Sequence, residues 1–157
     1  AVSNLSIPTR AKMKYSPYYN QSFEEVWAAA KEISARDWKI EKVDNERGRL
    51  TSGWDVVMAP SLYSGTRRKL TIEMERPKKG GVRVGIMVAR EENGNVNEPL
   101  NEPEAEWMKK GSDDGAEQIL LWRLDSRLTQ FKPSSELLRR LDWEETKGAG
   151  ERKTSTK

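Results

Sequence analysis

Two hydrophobic periods alternate along the chain, one helical and one extended, and their order outlines a fold. Phe23, Val26, Trp27, Ala30 and Ile33 form one stripe at helical spacing, and Ser22 with Glu25 three residues later makes a capping box. The spacing predicts a helix over about 23–35. Residues 38–43 and 49–57 read as two strands around Asp44-Asn45-Glu46-Arg47-Gly48, which has the composition of a hairpin turn. Ile40 and Val43 fall on opposite faces of a regular strand, so a bulge is expected there.

The next pair is better specified. Leu70, Ile72 and Met74 alternate with polar residues; after Pro77-Lys78-Lys79-Gly80-Gly81, so do Val82, Val84, Ile86 and Val88. Folding about Lys79 sets Met74 opposite Val84, Ile72 opposite Ile86 and Leu70 opposite Val88, all on one face, with Glu75 facing Arg83 on the other. Residues 91–115 are polar and lack sustained periodicity, with Trp107 and Met108 available to dock them on the body. A structureless loop of that length is unusual in a compact domain and points to function or mobility. A second helix is expected over about 113–129, its acidic start suiting the helix dipole. Its apolar stripe holds Ala116, Ile119, Leu120, Leu124, Leu128 and Phe131.

These elements predict one α+β domain, α-β-β-β-β-α. It has a four-stranded antiparallel sheet with the N-terminal and C-terminal helices packed on its single apolar face. Residues 1–21 read as an extended leader and 22–131 as the domain, with a long polar loop at 91–115. Residues 132–145 read as a short amphipathic helix carrying Leu137, Leu138 and Leu141, and 146–157 as a disordered tail.

Composition removes several chemistries. With no Cys and no His there is no disulfide, no thiol nucleophile and no imidazole base or ligand. The 28 basic and 25 acidic residues leave only +3, too balanced by itself to argue for nucleic acid. No run of about 18 apolar residues offers a membrane span. Glu73 and Glu75 share a strand face at a separation of about 7 Å, within the range of glycosidase carboxyl pairs. A solvated sheet face with Glu75 on Arg83 explains them better. Asp113 and Asp114 suit a helix start rather than a cation, and Gly80-Gly81 is a turn rather than a phosphate loop. No catalytic, cofactor-binding or metal-binding residue is therefore expected.

Arg67, Arg68 and Lys69, with Lys78, Lys79 and Arg83, are candidates for a basic sheet face. The outward positions Thr71, Met87 and Ala89 supply no aromatic for base stacking; Trp54 and Tyr63 are the nearest candidates, and Trp54 suits equally well a place in the core beside Trp27 and Trp38. No nucleic-acid partner is expected. Trp107, Trp122 and Trp143, together with Leu137, Leu138 and Leu141, are the better candidates for a partner surface, since Trp is enriched at binding hot spots.

The run Tyr18-Tyr19 through Ser22-Phe23-Glu24-Glu25-Val26-Trp27, then Asp37-Trp38-Lys39-Ile40, then Asp44 to Gly48-Arg49-Leu50-Thr51, resembles a domain of bacterial envelope lipoproteins. Among these is the lipoprotein C component of the outer-membrane β-barrel assembly machinery. Such domains place a Val-Trp near a helix start, then an Asp-x-x-x-Gly turn, a hairpin and a C-terminal helix. The resemblance spans about residues 15–128 and implies a helix-grip fold. It also implies a location in the periplasm or at the periplasmic face of the outer membrane, and a non-catalytic role in binding another envelope protein. The lipid-bearing Cys of such lipoproteins is not in this chain, so membrane association is expected only through an anchor outside it. A carrier of small apolar ligands, using a cavity between helix and sheet, is the competing expectation.

Overall fold

The computed structural model describes residues 12–59, 64–77 and 79–130. The chain divides into two compact units, 1–125 and 126–157, and of the second the described residues are the end of the last helix.

The first helix, α1 (Phe23–Asp37), starts where the capping pattern places it: the Ser22 hydroxyl accepts the Glu25 N–H at 3.2 Å. It ends where the Trp38 N–H closes on the Ser34 carbonyl at 3.1 Å. Val26, Trp27, Ala30 and Ile33 are buried, as the stripe requires. The strands β2 (Ile40–Asp44) and β3 (Arg49–Ser52) follow, and the expected bulge lies between Ile40 and Lys42. In their turn the Asp44 carboxylate accepts the N–H groups of Glu46 and Arg47, and Gly48 takes φ +70°. A Cβ at Gly48 would lie 2.5 Å from the Met74 side chain and 2.7 Å from Phe23, so the turn also needs glycine for space. The indole N–H of Trp27 donates to Asn45 at 3.0 Å, which fastens α1 to this turn.

The central hairpin, β5 (Thr66–Glu75) with β6 (Arg83–Asn93), has the register expected from its alternation. Leu70 faces Val88, Ile72 faces Ile86, Met74 faces Val84, and Arg83 grips Glu75 with two hydrogen bonds of 3.0 and 3.1 Å. Leu50, Leu70, Ile72, Val84, Ile86 and Val88 are all buried and form the sheet's contribution to the core.

The expected four strands are an undercount, because the antiparallel sheet contains seven strand segments. Besides those above, β1 (Lys14–Tyr15) and β7 (Trp107–Ser112) both pair with the outer edge of β6, while β4 (Asp55–Val57) shares the outer edge of β5 with β3. The two hairpin strands are 10 and 11 residues long and their neighbours at most 6, so two short segments lie end to end along each edge. β1 comes from the stretch read as leader, and β7 from the aperiodic 91–115 stretch. No alternation of apolar with polar residues marks Trp107–Ser112, β1 is only two residues long, and the single strand expected over 49–57 is split into β3 and β4.

Joints between end-to-end strands leave backbone groups of the long strand without a ladder partner. Buried polar side chains fill them. The Ser52 hydroxyl accepts the Leu70 N–H at 2.8 Å at the β3–β4 joint. On the other edge, the Glu117 carboxylate accepts the Val88 N–H at 2.8 Å at the β1–β7 joint, and just past the far end of β1 the Ser16 hydroxyl accepts the Val84 N–H at 2.9 Å. Ser16, Ser52 and Glu117 are correspondingly buried. Ser52→Ala should cost about 1–2 kcal/mol by stranding the Leu70 N–H. Urea unfolding measures it, and an unchanged midpoint would contradict the role given to this hydroxyl.

The last helix, α2 (Asp114–Gln130), is capped by Asp113, whose carboxylate accepts the Ala116 N–H at 3.1 Å. Its buried residues run Glu117, Leu120, Leu124 and Leu128. The buried stripe is thus rotated from the expected one. Ile119, expected inside, is 52% exposed, because Glu117 is drawn inward by the Val88 N–H and occupies the buried position of that turn. An ion pair between Arg123 and Asp37 ties α2 to the end of α1.

Candidate interaction surfaces

The face of the sheet opposite the buried residues is built by the alternate positions Arg67, Lys69, Thr71, Glu73 and Glu75 of β5, with Arg83, Met87, Ala89 and Glu91 of β6. Its arginines are held by acids. Arg67 bonds Glu91 at 2.5 and 2.8 Å, Arg49 meets Glu73 at 3.2 Å, and Arg83 holds Glu75. Both carboxylates of the Glu73–Glu75 pair are therefore engaged by guanidinium groups, an arrangement suited to fastening strands.

Aromatic rings also stand on this face, brought there from neighbouring segments rather than from the outward positions of the hairpin. The Arg67 guanidinium lies between two indoles, 4.0 Å from the Trp54 ring centre and 4.6 Å from that of Trp107. Trp54 is half-buried here rather than part of the core. Arg83 likewise covers the rings of Tyr15 at 3.9 Å and Tyr18 at 5.1 Å. Arg68 belongs to the other side, as strand alternation demands. It bonds Asp113 at 2.9 Å and Asp55 at 3.0 Å and lies over Trp38. Burial pulls the Arg68 pKa down, but those two carboxylates outweigh it and hold it above its ordinary value. For Asp113, burial is outweighed by the Ala116 N–H and Arg68, which keep its pKa low.

The 91–115 stretch is ordered by two asparagines. The Asn93 amide donates to the carbonyls of Glu98 and Pro99 at 3.2 and 3.0 Å, and its oxygen accepts the N–H groups of Asn95 and Glu106, both at 2.9 Å. Asn95 accepts from Asn97 and Glu98 and donates to the Glu104 carbonyl, just inside a 3₁₀ turn at Glu102–Glu104. Asn93 is 5% exposed. Nothing in the periodicity marks these residues; the signal available was the density of Asn in a stretch that also holds Pro99 and Pro103.

The expected partner residues separate. Trp107 is half-buried, with Arg67 over its ring. Trp122 is 69% exposed on α2, one turn from the exposed Ile119, and these two make an apolar patch. Leu137, Leu138, Leu141 and Trp143 lie outside the described residues, as do Lys78 of the basic cluster and Tyr63.

One further feature was missed. Lys42, Arg49, Thr51 and Lys69 line a depression of about 350 Å³ on the arginine-bearing sheet face. Lys42 is set there by the bulge at Glu41, which the sequence announced but did not locate. Among the described residues no group of three acids is placed to hold a metal ion, and no helix is long and apolar enough to cross a membrane. Compared with known proteins, the chain matches no family model and no curated sequence.

Proposed function

We propose that the chain is a non-catalytic protein-interaction module of the bacterial cell envelope, a helix-grip-like lipoprotein domain that meets another envelope protein through α2. The observation that carries this reading is Trp122, 69% exposed with Ile119 at 52% three residues away. Large apolar side chains paired on one helix turn suit an apolar cleft on a partner, where an indole supplies much contact area for little lost rotamer freedom. The disposition of charge agrees with it. The best carboxylate pair is committed to arginines, and the buried Glu117 serves the backbone. The envelope assignment and the helix-grip comparison rest on the Val26-Trp27 and Asp44–Gly48 resemblance. Here Trp27 is bonded to Asn45 of that turn, so the two motifs form one structural unit.

The test is a photocrosslinker placed at position 122 of the full-length protein in its native cell, with a second at the exposed Lys39 as control. The expected result is one envelope protein captured from position 122 but not from 39, and lost in Ile119→Glu. Trp122→Ala should leave the unfolding free energy within about 0.5 kcal/mol of the parent, as for an exposed side chain. A partner confined to the cytoplasm would overturn the envelope reading. A Trp122→Ala variant that unfolds early would show the indole to be structural.

A further inference from the structure

Independently of that reading, the geometry points to a binding site for a phosphate group in the depression lined by Lys42, Arg49, Thr51 and Lys69. The β ladder places these residues together. Lys42 is the cross-strand partner of Thr51, Thr51 that of Thr71, and Lys69 lies two residues before Thr71 on the same face of β5. The two lysines therefore stand on either side of Thr51, one on β2 and one on β5.

What separates this place from the rest of the face is unspent charge. Arg49, Arg67 and Arg83 each hold a carboxylate. Among the described residues the Lys42 ammonium has no hydrogen bond or ion pair, and the Lys69 ammonium meets only the Trp54 ring, at 5.5 Å. The acids nearby are already used. Asp44 also lines the depression but accepts the Glu46 and Arg47 N–H groups of its turn, and Glu73 faces Arg49. Glu41, the bulged residue, turns its carboxylate toward Gly53. A positive excess thus remains at one concave spot, where low-dielectric walls strengthen attraction for an anion.

The donor set selects the kind of anion. A planar carboxylate is best held by the fork of an arginine, and the arginine present is engaged. Lysine ammonium groups act as point charges that can approach a tetrahedral, doubly charged group from separate directions, and a threonine hydroxyl can donate to a further oxygen. A volume of about 350 Å³ leaves room for a substituent on the phosphate. The same chemistry could be presented by a soluble phosphate ester or by a phospholipid headgroup.

The test titrates the full chain with inorganic phosphate while amide and indole signals are followed by NMR, with acetate at matched ionic strength as control. Saturating shifts are expected at Thr51, Thr71 and the Trp54 indole with phosphate and not with acetate. Lys42→Gln/Lys69→Gln should weaken the binding at least roughly tenfold with the remaining spectrum unchanged, while Lys109→Gln on the far edge should leave it intact. Sedimentation with phosphatidylglycerol vesicles, compared with phosphatidylcholine alone, then separates the two sources. Vesicle binding abolished by the double variant supports the headgroup; saturation by phosphate without vesicle binding supports a soluble ester. The proposal is overturned if the shifts stay linear, if acetate matches phosphate, or if Lys109→Gln weakens binding as much as the double variant. A single-stranded oligonucleotide that binds across Trp54, Arg67 and Trp107 while phosphate alone does not would also overturn it, in favour of a nucleic-acid face.

Discussion

Leucine in place of Glu117 should destabilise the domain by about 2–3 kcal/mol, whereas glutamine there should leave it folded and change its response to pH. Leucine matches the volume but cannot accept the Val88 N–H, and that donor lies at the joint between β1 and β7, where no other strand can reach it. Glutamine retains an acceptor oxygen. Glu117 is 1% exposed, and burial, the largest influence, raises its pKa; the Val88 N–H and Lys14 oppose this, while Asp113 adds to it. The folded protein therefore holds this proton more tightly than the unfolded chain does. The stabilisation linked to it is complete below the ordinary glutamate range and is lost as pH rises through the folded pKa. Denaturant unfolding of the parent and Glu117→Gln across acidic to neutral pH measures this. The parent should lose stability relative to Glu117→Gln as pH rises, and a difference independent of pH would refute the linkage.

The second large effect is expected at Asn93. Alanine there removes two donors and two acceptor bonds in one step, and the four partner groups belong to Asn95, Glu98, Pro99 and Glu106. At a net worth of about 0.5–1 kcal/mol for each of the four bonds, the 94–106 stretch should lose roughly 2–4 kcal/mol of local stability. Hydrogen exchange reads this directly. The Asn95 and Glu106 amides should exchange about a hundredfold faster, while Leu70 and Ile72 keep their protection. Equal acceleration at Leu70 would mean that the loop and the sheet open as one unit.

The contrast between these predictions and the central hairpin shows what local pattern can reach. The Leu70–Val88 pairing follows from alternation alone, because shifting the register by one residue would turn every apolar side chain to water. The start of α1 follows from Ser22 and Glu25, since the capping bond is local. The Glu75–Arg83 pair follows from the same register. By contrast, the Trp54–Arg67–Trp107 stack joins three residues from separate segments, and no short-range rule brings them together. The exposed Ile119–Trp122 patch was half legible. Trp122 was among the expected partner residues, but Ile119 faces outward only because a buried acid took its turn of the helix.

By itself, then, the sequence determined the mixed α+β class, the extent of α1, the hairpin register and the absence of thiol and imidazole chemistry. Periodicity, caps and composition are properties of adjacent residues. Tertiary structure alone decided the seven-segment sheet, the rotation of α2 and the order within 91–115. It also decided the meeting of Lys42 with Lys69. The physical reason is shared: each depends on where an unpaired backbone N–H or an uncompensated charge finds its partner across the sheet. That partner is chosen by the requirement that every buried polar group be satisfied, and a linear pattern does not record it.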